Sequence, residues 1–145
     1  MSQVRGIAIR NRPRAAMQAI DSAQISVDCG ILGDHRGTQL NRQITIVSDA
    51  GWRRACAEVG AELPWTMRRA NLLIDCDEFD ESYVGRRIRI GAVELVVTRE
   101  TTPCSMMDAQ HPGLTKALEP DWRGGICCNV KKPGHIRIGD QVEFD

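Results

Sequence analysis

The chain has 145 residues, 42% hydrophobic but only 4% aromatic, and its 19 Lys and Arg balance 19 Asp and Glu. That length suits one domain, read here as residues 1–145, with a core built from aliphatic side chains. Zero net charge and few aromatics argue against nucleic acid as a partner, and no run nears the roughly 18 apolar residues of a membrane helix.

The basic N-terminus is not followed by an apolar stretch, so it does not read as a secretory signal, and the expected location is the cytoplasm. Val4 to Ile9 reads as a first strand. The segment from Asn11 to Ala16, with Pro13 inside it, reads as a loop. Gln24 to Val27 alternates as a second strand. Cys29-Gly30-Ile31-Leu32-Gly33-Asp34-His35-Arg36-Gly37 is too glycine-rich for regular structure and reads as tight backbone. Gln43 to Val47 is another strand. Ser48 then offers an N-cap to a helix carrying Trp52, Cys56 and Val59 at helical spacing, stopped by Gly60.

Ala70 to Ile74 is expected to be extended. Arg87 to Ile90 and Val93 to Thr98, joined at Gly91-Ala92, form the strongest local signal, a β-hairpin with Val93, Leu95 and Val97 on one face. Arg86, Arg87 and Arg89 alternate awkwardly, and part of that run reads as a solvated strand face. Pro103 ends regular structure ahead of Cys104, and short helical turns are expected at Ser105–Ala109 and Leu114–Leu118. Ile126 to Val130, Gly134 to Ile138 and Val142 to Phe144 complete the strands. Many short strands punctuated by glycine turns predict a mainly β fold, a closed or nearly closed β-barrel with a few short helices.

Six cysteines, with Cys127 and Cys128 adjacent and no Cys-x-x-Cys pair, favour reduced thiols over disulfides or a zinc ribbon. Cys104 is the exception to inspect, because it follows Thr101-Thr102-Pro103 at the end of a strong strand, where loops carry function. A thiolate there could attack an electrophile, bind a soft metal or carry sulfur as a persulfide. On the residues alone, an inert half-buried cysteine stands ahead of these.

Asp34-His35 could serve as an acid–base or metal-ligand pair, while Asp34 could equally satisfy loop amides. Arg123-Gly124-Gly125 could bind an anion through the guanidinium and exposed amides, or simply turn. Arg42 and Arg69 are further anion candidates. Met106 and Met107 could offer soft sulfur, with core packing the better-favoured fate of at least one.

The ordered set resembles the MOSC domain, named for the C-terminal domain of molybdenum cofactor sulfurases. It runs through Gly30-Ile31-Leu32-Gly33-Asp34-His35, Arg42-Gln43-Ile44-Thr45-Ile46, Arg69-Ala70-Asn71-Leu72 and Ile90 to Leu95. It continues through Thr102-Pro103-Cys104, Trp122-Arg123-Gly124-Gly125 and Gly134 to Asp140, spanning roughly residues 20–144. The resemblance implies a β-barrel and a stand-alone protein that binds molybdenum cofactor (molybdopterin) or carries sulfur on Cys104. In the cofactor version Cys104 is the metal ligand. Arg42, Arg69 and Arg123 contact phosphate or pterin, and Asp34, His35 and Asn71 line the pocket. The implied reaction is reduction of N-hydroxylated small molecules, with a flavin or iron–sulfur electron donor as partner. In the sulfur version the partner is a cysteine desulfurase. A catalytically silent β-barrel binding module is the competing reading.

Overall fold

The computed structural model describes residues 2–145. Its strands are β1 (Ser2–Ile9), β2 (Gln18–Ile20), β3 (Ser22–Ser26), β4 (Gly30–Ile31), β5 (Ile44–Ser48), β6 (Leu72–Ile74), β7 (Arg87–Ile90), β8 (Val93–Glu100), β9 (Ile126–Lys132), β10 (Gly134–Arg137) and β11 (Gln141–Phe144). The helices are α1 (Asp49–Val59), α2 (Met106–Gln110) and α3 (Leu114–Leu118).

Seven strands close on themselves in the order β1–β11–β7–β8–β9–β5–β6 and back to β1. The short pairing Ser2↔Val142 and Gln3↔Gln141 supplies the closure, which leaves no free edge around the barrel. The mainly β barrel expected from the sequence is therefore the architecture. β2 extends from β1, and a separate three-stranded sheet runs β10–β3–β4.

Six of the seven barrel pairings are antiparallel, and β5–β6 is parallel. A parallel neighbour needs a crossover, and α1 lies between the two strands in sequence. Its start is fixed by Ser48, whose Oγ accepts from the Gly51 amide at 2.9 Å. Its end is fixed by Gly60 in the left-handed region, at φ +71°. Both caps were legible in the sequence.

The barrel interior is aliphatic, with Ile7, Ile46, Leu72, Ile88, Leu95 and Ile126 all buried. A second cluster outside the barrel packs Trp52, Ala55 and Cys56 of α1 against Met107, Leu114 and Leu118. That second core holds the α2–α3 segment against α1, and so positions the chain just after Cys104. The β7–β8 hairpin has the expected register, Ile90↔Val93 through Arg87↔Val96. Arg87 pairs with Glu94 at 2.8 Å and Arg89 with Asp145 at 2.9 Å on its outer face. No helix among the described residues is long and apolar enough to cross a membrane.

Candidate functional site: an arginine cleft beside Cys104

Strand β8 ends at Glu100, and the chain leaves the barrel through Thr101 and Pro103, both buried. Thr101 is pinned by its amide, which donates to the Gly125 carbonyl at 2.8 Å. Cys104 then emerges exposed. Its carbonyl accepts from the Met107 amide and from Thr115 Oγ1, each at 2.9 Å, so α2 and α3 both hold its backbone.

Cys104 forms part of the wall of a cleft that opens to solvent. Five arginines line it: Arg10, Arg36, Arg42, Arg68 and Arg69. They come from three separate places in the chain. Arg10 follows β1, Arg36 and Arg42 lie between β4 and β5, and Arg68 and Arg69 end the short 3-10 turn that begins at Trp65. The cleft continues inward to Asp34 and Asn71, sharing Arg10, Arg36, Arg42, Thr45 and Arg69 along the way.

The arginines have few partners. The ion pairs among the described residues involve Arg5, Arg53, Arg54, Arg87, Arg89, Arg123 and Lys132. None of the five cleft arginines is among them. Arg68 is buried and bonds only to neutral acceptors. Its Nε donates to the Gly124 carbonyl at 2.8 Å and its Nη2 to the Thr101 carbonyl at 2.9 Å, with Nη1 3.9 Å from Met107 Sδ. Arg69 sits in the left-handed region at φ +65° and donates from Nη2 to the Ala15 carbonyl at 2.7 Å. Arg10 is only 8% exposed, and its side chain makes no hydrogen bond or ion pair among the described residues. Arg42 Nε is buried with no hydrogen-bond partner among the described residues.

Crowding of like charge shows in their protonation. Burial, then Arg69 and Arg36, lowers Arg10 to about 10. Burial, then Arg42, lowers Arg68 to about 10, while an ionised Cys104 acts in the opposite direction. Arg42 is also lowered, first by burial and then by Arg36. Unpaired, partly desolvated guanidiniums of this kind favour an anion in the space between them.

The other expected site residues are placed as follows. Arg42, Arg69 and Cys104 line the same cleft. Asp34 and Asn71 lie in the deeper part, and both have structural bonds. Asp34 Oδ1 accepts from the Arg10 amide at 3.1 Å. Asn71 Oδ1 accepts from the Thr45 amide at 3.0 Å and its Nδ2 donates to the Ala8 carbonyl at 3.2 Å. His35 contributes its backbone amide to the Arg10 carbonyl at 2.8 Å, and its ring is not among the cleft walls.

Arg123 points elsewhere. It is 3% exposed, pairs with Glu58 at 2.7 Å, lies 3.7 Å from Glu78 and donates to the Ala117 carbonyl at 3.0 Å. Its Gly-Gly neighbours serve the site instead, since Gly124 supplies the carbonyl that holds Arg68. Among the described residues no three His, Cys, Asp or Glu side chains gather into a metal-binding group. Met107 is buried against the second core and Met106 is 58% exposed on the cleft wall.

Sequence reasoning missed Arg10, Arg36 and Arg68 as site residues. No spacing links them, and the Arg68-Arg69 pair was the one available hint.

The sequence model of the MOSC domain matches residues 33–143. The chain belongs to the MOSC domain family. The matched span includes Cys104 and four of the five cleft arginines, all but Arg10. Among solved structures, the YuaD protein from Bacillus subtilis is similar at 20% identity and a TM-score of 0.79, over 99% of this chain and 96% of that one. YiiM from Geobacillus stearothermophilus is similar at 15% identity and a TM-score of 0.79, over 100% of this chain and 75% of that one. YiiM from Escherichia coli is similar at 14% identity and a TM-score of 0.74, over 99% and 69%. At these identities the likeness concerns the MOSC fold alone. No curated protein sequence matches the chain.

Proposed function

We propose that this MOSC domain binds a molybdenum cofactor in the arginine cleft, with the Cys104 thiolate as a metal ligand. The observation that carries the reading is the set of five arginines that make no ion pair among the described residues, lining a cleft whose wall presents an exposed thiol. The residues suit the group. The cofactor ends in a phosphate, and the buried, partnerless Arg42 Nε needs an acceptor. Arg10, Arg36, Arg42 and Arg69 would hold that phosphate, with Asp34 and Asn71 at the inner end. A lone soft thiolate suits molybdenum, which takes sulfur ligands.

When bound, the cofactor supplies two-electron chemistry, which the family resemblance assigns to N-hydroxylated small molecules with electrons from a flavin or iron–sulfur partner. The chain's own residues bind and orient. Arg68, anchored by two carbonyls, keeps positive charge beside Cys104, and α2 and α3 fix where the thiol emerges.

A second reading has a specific observation in its favour. Cys104 is exposed, so a cysteine desulfurase could load it with a persulfide.

Molybdenum and pterin content separates the two, measured on protein made in a cofactor-producing host and purified without oxygen. The cofactor reading expects close to one molybdenum per chain, lost in Cys104→Ala. Absence of both molybdenum and pterin contradicts it, and a mass raised by one sulfur on Cys104 favours the carrier.

A further inference from the structure

We infer that Cys104 is a thiolation site, where the cofactor-free protein forms a mixed disulfide with a low-molecular-weight thiol bearing carboxylates or phosphates. A glutathione-type tripeptide and a coenzyme A-type thiol both have that chemistry. The whole thiol is attached and later removed, and no sulfur atom is handed on. The modification is independent of cofactor binding. Its consequence, control over when the cleft can be loaded, rests on the reading of Cys104 as a molybdenum ligand.

Three observations carry it. Cys104 is exposed while the other five thiols are buried or half-buried, so a disulfide can reach it with most of its bulk still in solvent. The cleft beside it holds guanidiniums with nothing anionic to bind. Arg10 lines that cleft at 8% exposure, and its side chain makes no hydrogen bond or ion pair among the described residues. Buried Arg42 Nε has no hydrogen-bond partner among them either. Buried donors without acceptors favour a ligand that brings carboxylate or phosphate oxygens. The third observation is how charge is divided between the thiols. Cys76 shares its pocket with Asp49, Asp75 and Asp77, where Arg5 and Arg53 are already paired with Asp75 and Asp49. Cys104 shares its cleft with arginines only. An anionic disulfide is therefore drawn to Cys104 and repelled from Cys76. Cys29, half-buried, is bonded to Ser26 Oγ at 2.8 Å.

The step is thiol–disulfide exchange. Cys104 releases its proton to solvent, and Sγ attacks one sulfur of the donor disulfide. A new S–S bond forms as the old one breaks, and the electron pair of the old bond leaves on the departing thiolate. The donor disulfide is itself the oxidant. The attached half keeps its anionic groups beside Arg10, Arg36 and Arg42, which favours this adduct over one with a neutral thiol. A dithiol reductant reverses the step. While the adduct lasts, Sγ is bonded to sulfur and is not free to ligate a metal.

The test uses full-length, reduced protein made in a host that lacks molybdenum cofactor. The cofactor reading is decided separately, by molybdenum content from a producing host, so each fails alone. Coenzyme A disulfide, glutathione disulfide, neutral bis(2-hydroxyethyl) disulfide and cationic cystamine are compared by intact mass and peptide mapping. Each Cys104 rate is divided by the rate at the same residue in urea-unfolded protein, which removes the donor's intrinsic reactivity. The expected result is one adduct on Cys104, released by dithiothreitol and absent in Cys104→Ser. At least one anionic donor should be favoured over cystamine by roughly tenfold or more, and the faster of the two names the headgroup, phosphate or carboxylate. That preference should shrink between about 0.01 M and about 1 M salt, as the Debye length falls from about 30 Å to about 3 Å. It should also shrink in Arg36→Ala, which removes one cleft charge. The salt series uses the unaltered chain and stands whether or not the variant folds. The proposal is overturned by equal normalised rates for anionic and cationic donors, or by adducts on Cys29 or Cys76 as fast as on Cys104. A charge preference that salt leaves unchanged overturns it as well.

Discussion

Arg68 and Gly124, 56 residues apart in sequence, are joined by a hydrogen bond of 2.8 Å from the guanidinium Nε to the glycine carbonyl. Arg68 also holds the Thr101 carbonyl, so one buried cation ties the loop before β6 to the two segments that flank Cys104's approach. Arg68→Met leaves both carbonyls unsatisfied in a dry site. The expected cost is about 1–3 kcal/mol in urea unfolding. A variant as stable as the wild type would mean that relief of charge crowding outweighs both bonds.

Inorganic phosphate should stabilise the native protein, because a ligand that binds only the folded state raises Tm with concentration. The shift should shrink in Arg42→Met and in high salt, since phosphate binding there is electrostatic. In Arg123→Met the fold weakens, because Glu58 and Glu78 lose their buried partner, yet the phosphate-induced shift should persist. Differential scanning fluorimetry reads all three. Loss of the shift in Arg123→Met would return that residue to the anion site.

Alkaline stability follows from two buried thiols. Cys76 is pushed up to about 12 by burial, with help from Asp75, Asp77 and Asp49, and Cys128 is also pushed up by burial. Their folded values lie above the unfolded one, so the unfolded chain releases protons first as pH rises. Their contribution is full below about pH 9 and is lost above it, at up to about 1.4 kcal/mol per pH unit for each thiol. Urea midpoints at about pH 8 and about pH 10 should therefore fall in wild type and fall less in Cys76→Ala. Equal slopes would remove Cys76 from the account.

Asn71 is expected to matter first for the fold. Its side chain serves the Thr45 amide, Thr45 Oγ1 and the Ala8 carbonyl, all buried. Asn71→Ala should cost about 2–4 kcal/mol by leaving several of these unmet. Chemical denaturation checks it, and a loss well under 1 kcal/mol would point to a ligand role instead.

Much of the fold was legible because its signals are local. Val93, Leu95 and Val97 alternate into the barrel, and Ser48 and Gly60 bracket α1 by short-range capping. The parallel β5–β6 pair and the closure of β1 on β11 were not legible, because they depend on partners far apart in sequence. The site divides in the same way. Pro103 and the family resemblance marked Cys104. Arg68 left only its adjacency to Arg69, because a buried arginine held by backbone carbonyls has no partner residue to find by spacing. Arg123 drew attention through Gly124-Gly125, but Glu58 on α1 turns it inward.

Anion binding in the arginine cleft beside Cys104 is what the proposed function rests on. The most direct measurement is the rate of Cys104 alkylation by iodoacetamide, read by peptide mass, with and without inorganic phosphate at constant ionic strength. Phosphate is expected to slow alkylation of Cys104, to leave Cys29 unaffected, and to lose its effect in Arg42→Met. Equal Cys104 rates with and without phosphate would contradict it.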